Sequence, residues 1–521
     1  MLVLTAREMA QLDRQTIEQI GIPGIVLMEN AAQGAASFFR EQVPDLLGRR
    51  IVVFAGSGNN AGDGFALARI FHNLSACVLV VCLRPPDKLS GDALTNYTIV
   101  RKLGVPVEAW DEAADFESLW GSAGRCEAVI DAILGTGLKS EVKGLYRQVI
   151  ERINKIAVPT LAVDIPSGLD ASSGRILGAA VKASATATFG FLKIGHLVEP
   201  GSELVGTIRV VDIGIPPVLH ESAEPKRYYL TRDLLSSWIP PRHPATHKGQ
   251  AGHACVLAGS RGKTGAAALI CLGAARAGAG LVTLFIPESL NPILEVKLTE
   301  AMTLPIPETA EMAPAFSSLP LILEFSKSTR ALAIGPGIST GQETKALVME
   351  LIRKATCPMV LDADAITAIS DDPKILRKAS VPLVLTPHPG EMARLCRCST
   401  EQVQQNRVEI AAKFSKDFGV NLVLKGHRTI VAAPDGTLAI NSTGNPAMAS
   451  GGMGDTLTGI VTGLLAQGME PFPAACIGVY VHGAAADRVI GKVAGRGLLA
   501  TDTLARIPRE IGHLERLAET P

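Results

Sequence analysis

Residues 443–468 read TGNPAMASGGMGDTLTGIVTGLLAQG. Gly451, Gly452 and Gly454 permit backbone angles that a Cβ penalises, and directly after them Leu457, Ile460, Val461, Leu464 and Leu465 recur with a helical period. The stretch predicts a glycine turn feeding a helix N-terminus, where free amides and the positive end of the helix dipole make a seat for a phosphate or a developing oxyanion. Asp455 is out of place in such a seat, because an acid repels the anion. It fits as a base taking a proton from a hydroxyl about to meet a phosphoryl group; taken alone it also reads as an N-cap or first-turn helix acid.

Outward from this turn, short apolar runs alternate with helical patterns along the whole chain, the signature of an α/β fold with parallel sheets covered on both faces. One set of predicted strands comprises 51–56, 77–83, 128–134, 160–166, 185–191 and 207–213; a second comprises 253–260, 281–287, 331–337, 358–364, 382–390 and 421–426. Between the sets, GIPPVLHESAEPKRYY (214–229) is rich in proline and charge and has no usable period, so a domain boundary is expected near 215–228. At 521 residues the chain exceeds one ordinary core. Lys plus Arg and Asp plus Glu number fifty each, which leaves no basic field for nucleic acid or an anionic membrane. No apolar run reaches the ~18 residues of a membrane span. The N-terminus MLVLTAREMAQLDRQ carries charges where a signal peptide needs an apolar core, so a cytoplasmic location is expected. Nine cysteines, scattered mainly through apolar segments, read as buried free thiols.

In the first half, GSGNNAGDG (56–64) follows a predicted strand and opens a helical pattern, as a phosphate cradle requires. Two further strand ends carry polar groups: VIDAILGTGLKS brings Asp131 and the loop Gly135 to Gly137, and AVDIPSGLD brings Asp164, Ser167 and Gly168. Asn60, Asp131 and Ser167 supply hard oxygens suited to an alkali or alkaline-earth cation, although each is also an ordinary turn residue.

In the second half, HKGQAGHACVLAGSRGKTGAAALICLGAARAGAGLVTLF (247–285) runs from strand through a glycine turn into a small-residue helix, which is expected to lie close to the sheet. GPG (335–337), LDADAIT (361–367) and TPHPGEM (386–392) each follow a strand, placing Gly337, Asp364 and His388 on one edge. His388 between two prolines reads as a site group held stiffly. LKGHRT (424–429) adds Lys425, a cation for phosphates.

GSGNNAGDGFALAR, VIDAILGTGL and AVDIPSGLDASSG resemble the YjeF N-terminal, NAD(P)H-hydrate epimerase family; the one departure is Ala61, where that family has glycine. GHACVLAGSRGKTGAAAL, LDADAIT, TPHPGEMARL, the LKGHRT to LLAQG stretch and VYVHGAAAD resemble the ADP/ATP-dependent NAD(P)H-hydrate dehydratases, whose fold is ribokinase-like. The resemblance implies two three-layer αβα domains: a Rossmann-like epimerase at 1–217 and a ribokinase-like dehydratase at 228–515. It implies K+ on Asn60, Asp131 and Ser167. It also implies contact of the hydrated nicotinamide nucleotide with Asn59, Asn60, Ala61, Gly62 and Asp63, with the loop Gly135, Thr136, Gly137, Leu138, Lys139, Ser140 and Glu141, and with Asp164, the acid/base of that site. In the second domain it implies Ala266, Gly337, His388 and Asp455 on the hydrated substrate, and Lys425, Gly426, His427, Arg428, Thr429 and Gly454 on the adenine nucleotide. Asp455 is there the catalytic base. Mg2+ is expected with the nucleotide, ADP rather than ATP as co-substrate, NADHX and NADPHX as substrates, and a homo-oligomer, a tetramer or larger. The motif around Asp455 would serve equally a ribokinase-group kinase acting on a small alcohol, with the first half a regulatory binding module or a nucleotide sensor.

Overall fold

The computed structural model describes residues 1–112, 115–222, 226–491 and 495–519. Two compact units divide the chain, one spanning Leu2–Pro225 and the other Lys226–Pro521 together with Met1. No helix among the described residues is long and apolar enough to cross a membrane.

The first unit is built on seven parallel strands, in spatial order Val107–Ala109, Cys77–Cys82, Arg50–Ala55, Ala128–Ala132, Thr160–Val163, Ala185–Phe189 and Thr207–Val211. β-branched and apolar residues fill both faces. Ile51 and Val53 enter one cluster with Phe39, Phe65 and Phe71, while Val52 and Phe54 enter another with Trp110 and Trp120. The order reverses at Arg50–Ala55: successive strands go to one side of it and later ones to the other. The loops leaving Arg50–Ala55 and Ala128–Ala132 therefore diverge and open a crevice, the usual ligand site of such a sheet.

The second unit holds ten strands in the order Arg227–Tyr229, Leu438–Ile440, Ile430–Ala432, Asn421–Leu424, Leu383–Leu385, Met359–Leu361, Ala331–Ile334, His253–Leu257, Leu281–Pro287 and Met302–Ile306. The sheet is not wholly parallel: Ile430–Ala432 runs against both neighbours. That strand and Leu438–Ile440 form a short return after Asn421–Leu424, too brief to show a period in the sequence.

One expectation is corrected. Strand runs end earlier than their apolar character suggests: 160–166 stops at Val163, 358–364 at Leu361 and 382–390 at Leu385. After Val163 and Leu361 the chain leaves the sheet through residues of positive φ, 63° at Asp164 and 48° at Ala363. Helix Thr264–Arg276 lies on the sheet as expected, with Ala267 and Ala274 in one core with Ala254 and Val256, and its small residues also let a second helix approach. A Cβ on Gly459 would lie 2.2 Å from Ile270 O, and one on Gly463 2.5 Å from Ala274 O, so this helix and Met453–Ala466 touch backbone to backbone.

Candidate functional site

In the first unit, helix Asn59–Asn73 starts directly after the central strand with Gly58 as its N-cap and no side chain capping it. Its first amides are therefore available to an anion. Gly56 lets this turn approach the neighbouring one, since a Cβ there would stand 2.1 Å from Ile133 O. Asn59 is exposed and Asn60 half-buried, but Ala61 is fully buried in the core and Gly62 sits against Met28, so the last two offer only backbone. Asp63 is buried. On the facing loop, Gly135 abuts Asn60, a Cβ on it falling 3.2 Å from Asn60 Cβ. Thr136 and Leu138 are half-buried, whereas Gly137, Lys139, Ser140 and Glu141 are exposed, with Glu141 paired to Lys143 at 3.4 Å.

Asp131 and Ser167 are wholly buried and joined twice: Ser167 Oγ donates to Oδ1 at 2.5 Å and Ser167 N to Oδ2 at 2.8 Å. Burial pushes the Asp131 carboxyl up to about 6 against these hydrogen bonds. Asn60 Nδ2 is buried without a hydrogen-bond partner, and a half-turn of the amide would direct its oxygen to the same place. This orphaned amide and the buried oxygens of Asp131 and Ser167 are a donor set that fits a hard monovalent cation.

Asp164 sits at the end of Thr160–Val163 and is fixed from several sides. Lys193 Nζ lies 2.5 Å from its Oδ1, Thr188 Oγ and Phe189 N donate to the same oxygen at 3.1 Å, and the His196 ring faces its carbonyl at 3.1 Å. Burial raises the Asp164 carboxyl, but the Lys193 ammonium and the hydrogen bonds outweigh it and hold the group below the ordinary carboxylate value. The same surroundings push the His196 imidazole down to about 3, chiefly through burial and then through Lys193.

In the second unit the turn before helix Met453–Ala466 has Gly452 as N-cap at φ 87°, with Gly454 and Asp455 in the first helical turn. Gly444 N and Asn445 Nδ2 donate to the two oxygens of Asp487, at 2.9 and 2.8 Å, and so anchor the loop that leads in. Burial, then the neighbouring Asp362 carboxylate, push the Asp455 carboxyl up to about 6 despite the Lys425 ammonium. Lys425 Nζ donates to Asp362 Oδ1 at 2.7 Å, and Thr458 Oγ to Asp362 Oδ2 at 2.8 Å. A Cβ on Gly454 would stand 3.3 Å from Lys425 Nζ, so the glycine leaves room in front of the ammonium.

Asp364 accepts from Lys263 Nζ and from Ser339 N, each at 3.0 Å, and a Cβ on Gly337 would crowd Lys263 Cβ at 2.9 Å. Half-buried Ala266 lies one turn further along that loop and helix. His388 is the N-cap of Pro389–Cys396: its Nδ1 accepts from Gly390 N and Glu391 N, its Nε2 lies 3.4 Å from Glu391 Oε1, and half of the ring stays exposed. The stretch 425–429 divides. Gly426 and His427 are exposed and Thr429 closes the turn onto Gly426 O at 2.9 Å, but Arg428 turns back onto Tyr229 Oη at 2.8 Å and Ser442 O at 3.1 Å. Among the described residues no group of three or more His, Cys, Asp or Glu side chains is placed to hold a metal ion.

Residues 254–509 match the family described as NAD(P)H-hydrate dehydratase, and residues 24–195 that described as YjeF-related protein N-terminus. A bifunctional NAD(P)H-hydrate repair enzyme of Moorella thermoacetica is 43% identical over 529 aligned positions, spanning 100% of this chain and 98% of its own length. The chain belongs to the bifunctional NAD(P)H-hydrate repair enzyme family. The Escherichia coli enzyme of that name is 33% identical, with 95% and 91% covered. Among solved structures, the ADP/ATP-dependent NAD(P)H-hydrate dehydratase of Bacillus subtilis, co-crystallised with ATP and Mg2+, is 32% identical. It covers 55% of this chain and 99% of its own, with a TM-score of 0.47.

In this member of the repair family, sequence reasoning passes over four groups that the fold brings to the sites. Asp362 stands two residues before Asp364 in LDADAIT and is 1% exposed; only the pairing with Lys425 reveals it. Arg407, from a distant helix, places its guanidinium on the carbonyls of Leu424 and Lys425 at 3.1 and 3.3 Å and so sets the strand end that carries Lys425. Lys193 and His196 lie in FLKIGH, and a fully buried lysine inside an apolar run was the available signal.

Proposed function

We propose that the chain interconverts the R and S hydrates of NADH and NADPH on residues 1–217 and dehydrates the S form on residues 228–515, using ADP and releasing AMP and phosphate. The observation that carries the second activity is Asp455: an acid in the first turn of a glycine-capped helix, its carboxyl pushed up to about 6, within reach of the Lys425–Asp362 pair. A base there takes the proton of the hydrate hydroxyl while the glycine turn and Lys425 hold the phosphoryl group and its charge. Phosphate is a far better leaving group than hydroxide, and the ring nitrogen's lone pair expels it to regenerate the dihydronicotinamide. Gly337 and the half-exposed His388 ring border the same strand edge and suit the ring-bearing substrate. Mg2+ is expected to travel with the nucleotide's phosphates and offset their charge; the absence of an acidic cage among the described residues fits an ion held mainly through the nucleotide.

In the first domain, Asn60, Asp131 and Ser167 would hold K+, which supplies a positive charge beside the substrate's phosphates. Asp164, kept ionised by Lys193, accepts a proton during epimerisation. A cytoplasmic location and a homo-oligomer of four or more chains accompany this reading as expectations of the family resemblance.

The test is a complete repair reaction. Purified protein given racemic hydrated NADH and ADP should restore the dihydronicotinamide absorbance in full, with one AMP and one phosphate released per turnover. Recovery of a phosphorylated alcohol would instead identify a small-molecule kinase.

A further inference from the structure

The crevice of the first unit contains more acid than its buried lysine, Lys193, can neutralise. Asp63 projects from the first turns of helix Asn59–Asn73, is 8% exposed, and accepts no hydrogen bond from any described residue. Asp13 comes from helix Ala6–Gln15, and its Oδ1 is buried without a partner. That helix is brought to the crevice by the pairing of Leu4 with Lys193 and by Met9 against Gly190, where a Cβ would touch Met9 Cε at 3.1 Å. Asp13, Asp63 and Asp164 all lie within electrostatic reach of Lys193, with His196 behind it, and Lys193 is committed to Asp164 at 2.5 Å. Three buried carboxylates cannot all ionise around one ammonium, so a proton must reside on one that Lys193 does not hold.

We propose that Asp63 is the general acid of the epimerising site, with Asp13 behind it as the residue that positions its proton. The proposal rests on the reading of residues 1–217 as the epimerase. Asp63 gives its proton to the hydroxyl on the carbinolamine carbon. The C–O bond breaks with its electron pair, water leaves, and the ring nitrogen's lone pair forms the C=N+ bond. Water then adds to the opposite face, the C=N+ pair returns to nitrogen, and the added water loses a proton to Asp164. Proton exchange with solvent in the crevice resets Asp63 and Asp164. Acid and base are thus two carboxyls separated by their surroundings: burial, then the Asp164 and Asp13 charges, raise Asp63 well above an ordinary carboxyl, while Lys193 keeps Asp164 low.

The test uses the full chain with ADP and measures initial rates from the pure R hydrate of NADH, with the pure S hydrate measured in parallel. Asp63→Asn should slow R consumption at least 100-fold and leave S dehydration unchanged. In Asp13→Asn the loss of a negative neighbour should move the alkaline limb of the R-hydrate profile down by about one pH unit, with the rate retained below it. In a parallel reaction without ADP, the S hydrate formed in H2(18)O should carry solvent oxygen. Unchanged R consumption in Asp63→Asn, an Asp13→Asn profile lowered equally at every pH, or no oxygen exchange would each overturn the proposal. Wild-type protein unable to use the R hydrate at all would overturn the epimerase reading instead.

Discussion

Lys425 Nζ donates to Asp362 Oδ1 at 2.7 Å, and the same ammonium faces Gly454 across the space where a Cβ would stand. Burial disfavours the charged lysine, yet Asp362, Glu391 and Asp455 more than restore it, so Lys425 titrates above its usual value. Asp362→Ala would leave a nearly buried ammonium without its counter-ion. Thermal or urea unfolding should show a loss of about 3 kcal/mol. Lys425→Met should raise the KM for ADP at least tenfold, about 1.4 kcal/mol, and leave R-to-S epimerisation untouched.

Gly454→Ala tests whether that space belongs to a phosphate. The new methyl would sit 3.3 Å from Lys425 Nζ in helical backbone that alanine adopts readily. Stability should stay within about 0.5 kcal/mol of wild type while kcat/KM for dehydration falls tenfold or more. Unaltered kinetics would place the nucleotide elsewhere.

Asp455 must be ionised to act as a base, and its carboxyl is pushed up to about 6. The kcat/KM for the S hydrate should therefore be level above pH 6 and fall tenfold per unit below it. Asp455→Asn should abolish dehydration while R and S hydrates still interconvert, as followed by chromatography.

Lys193→Met separates a structural from a catalytic role for the lysine. Asp164 titrates below its unfolded value, so its contribution to stability is complete above about pH 4 and is lost as the pH falls through the folded value. Without Lys193, burial outweighs the hydrogen bonds that remain, such as that from Phe189 N, and the titration of Asp164 shifts upward. The variant then regains stability on acidification as Asp164 takes up a proton. Urea midpoints should show a deficit of about 3 kcal/mol at pH 7 that narrows by pH 5. An equal deficit at both values would contradict the pairing.

Potassium should stabilise the first unit through Asn60, Asp131 and Ser167. At 100 times its Kd the gain is about 2.7 kcal/mol, read as a rise in unfolding temperature when KCl replaces tetramethylammonium chloride. Asn60→Ala should remove that rise.

Much of this was legible in the chain itself. Apolar runs of strand length, broken by Gly, Asp and Pro, mark both sheets because a strand buried on two faces admits few polar residues until it ends. Glycine turns before Phe65 and Leu457 mark the two anion seats for the same local reason. Strand ends were less legible: the apolar character of Ile165 or Ile133 continues past the point where the backbone turns away.

What the sequence determined by itself was local: where strands and helices form, which turns can approach a phosphate, and that Asp455, Asp164 and Lys425 are unusual in their surroundings. Tertiary structure alone decided which charges meet. Asp362 and Lys425 are 63 residues apart, Lys193 reaches Asp164 across 29, and helix Ala6–Gln15 brings Asp13 to both. Such pairs leave no periodic trace, because a buried charge is specified by the partner that neutralises it, and that partner is set by the packing of the whole sheet.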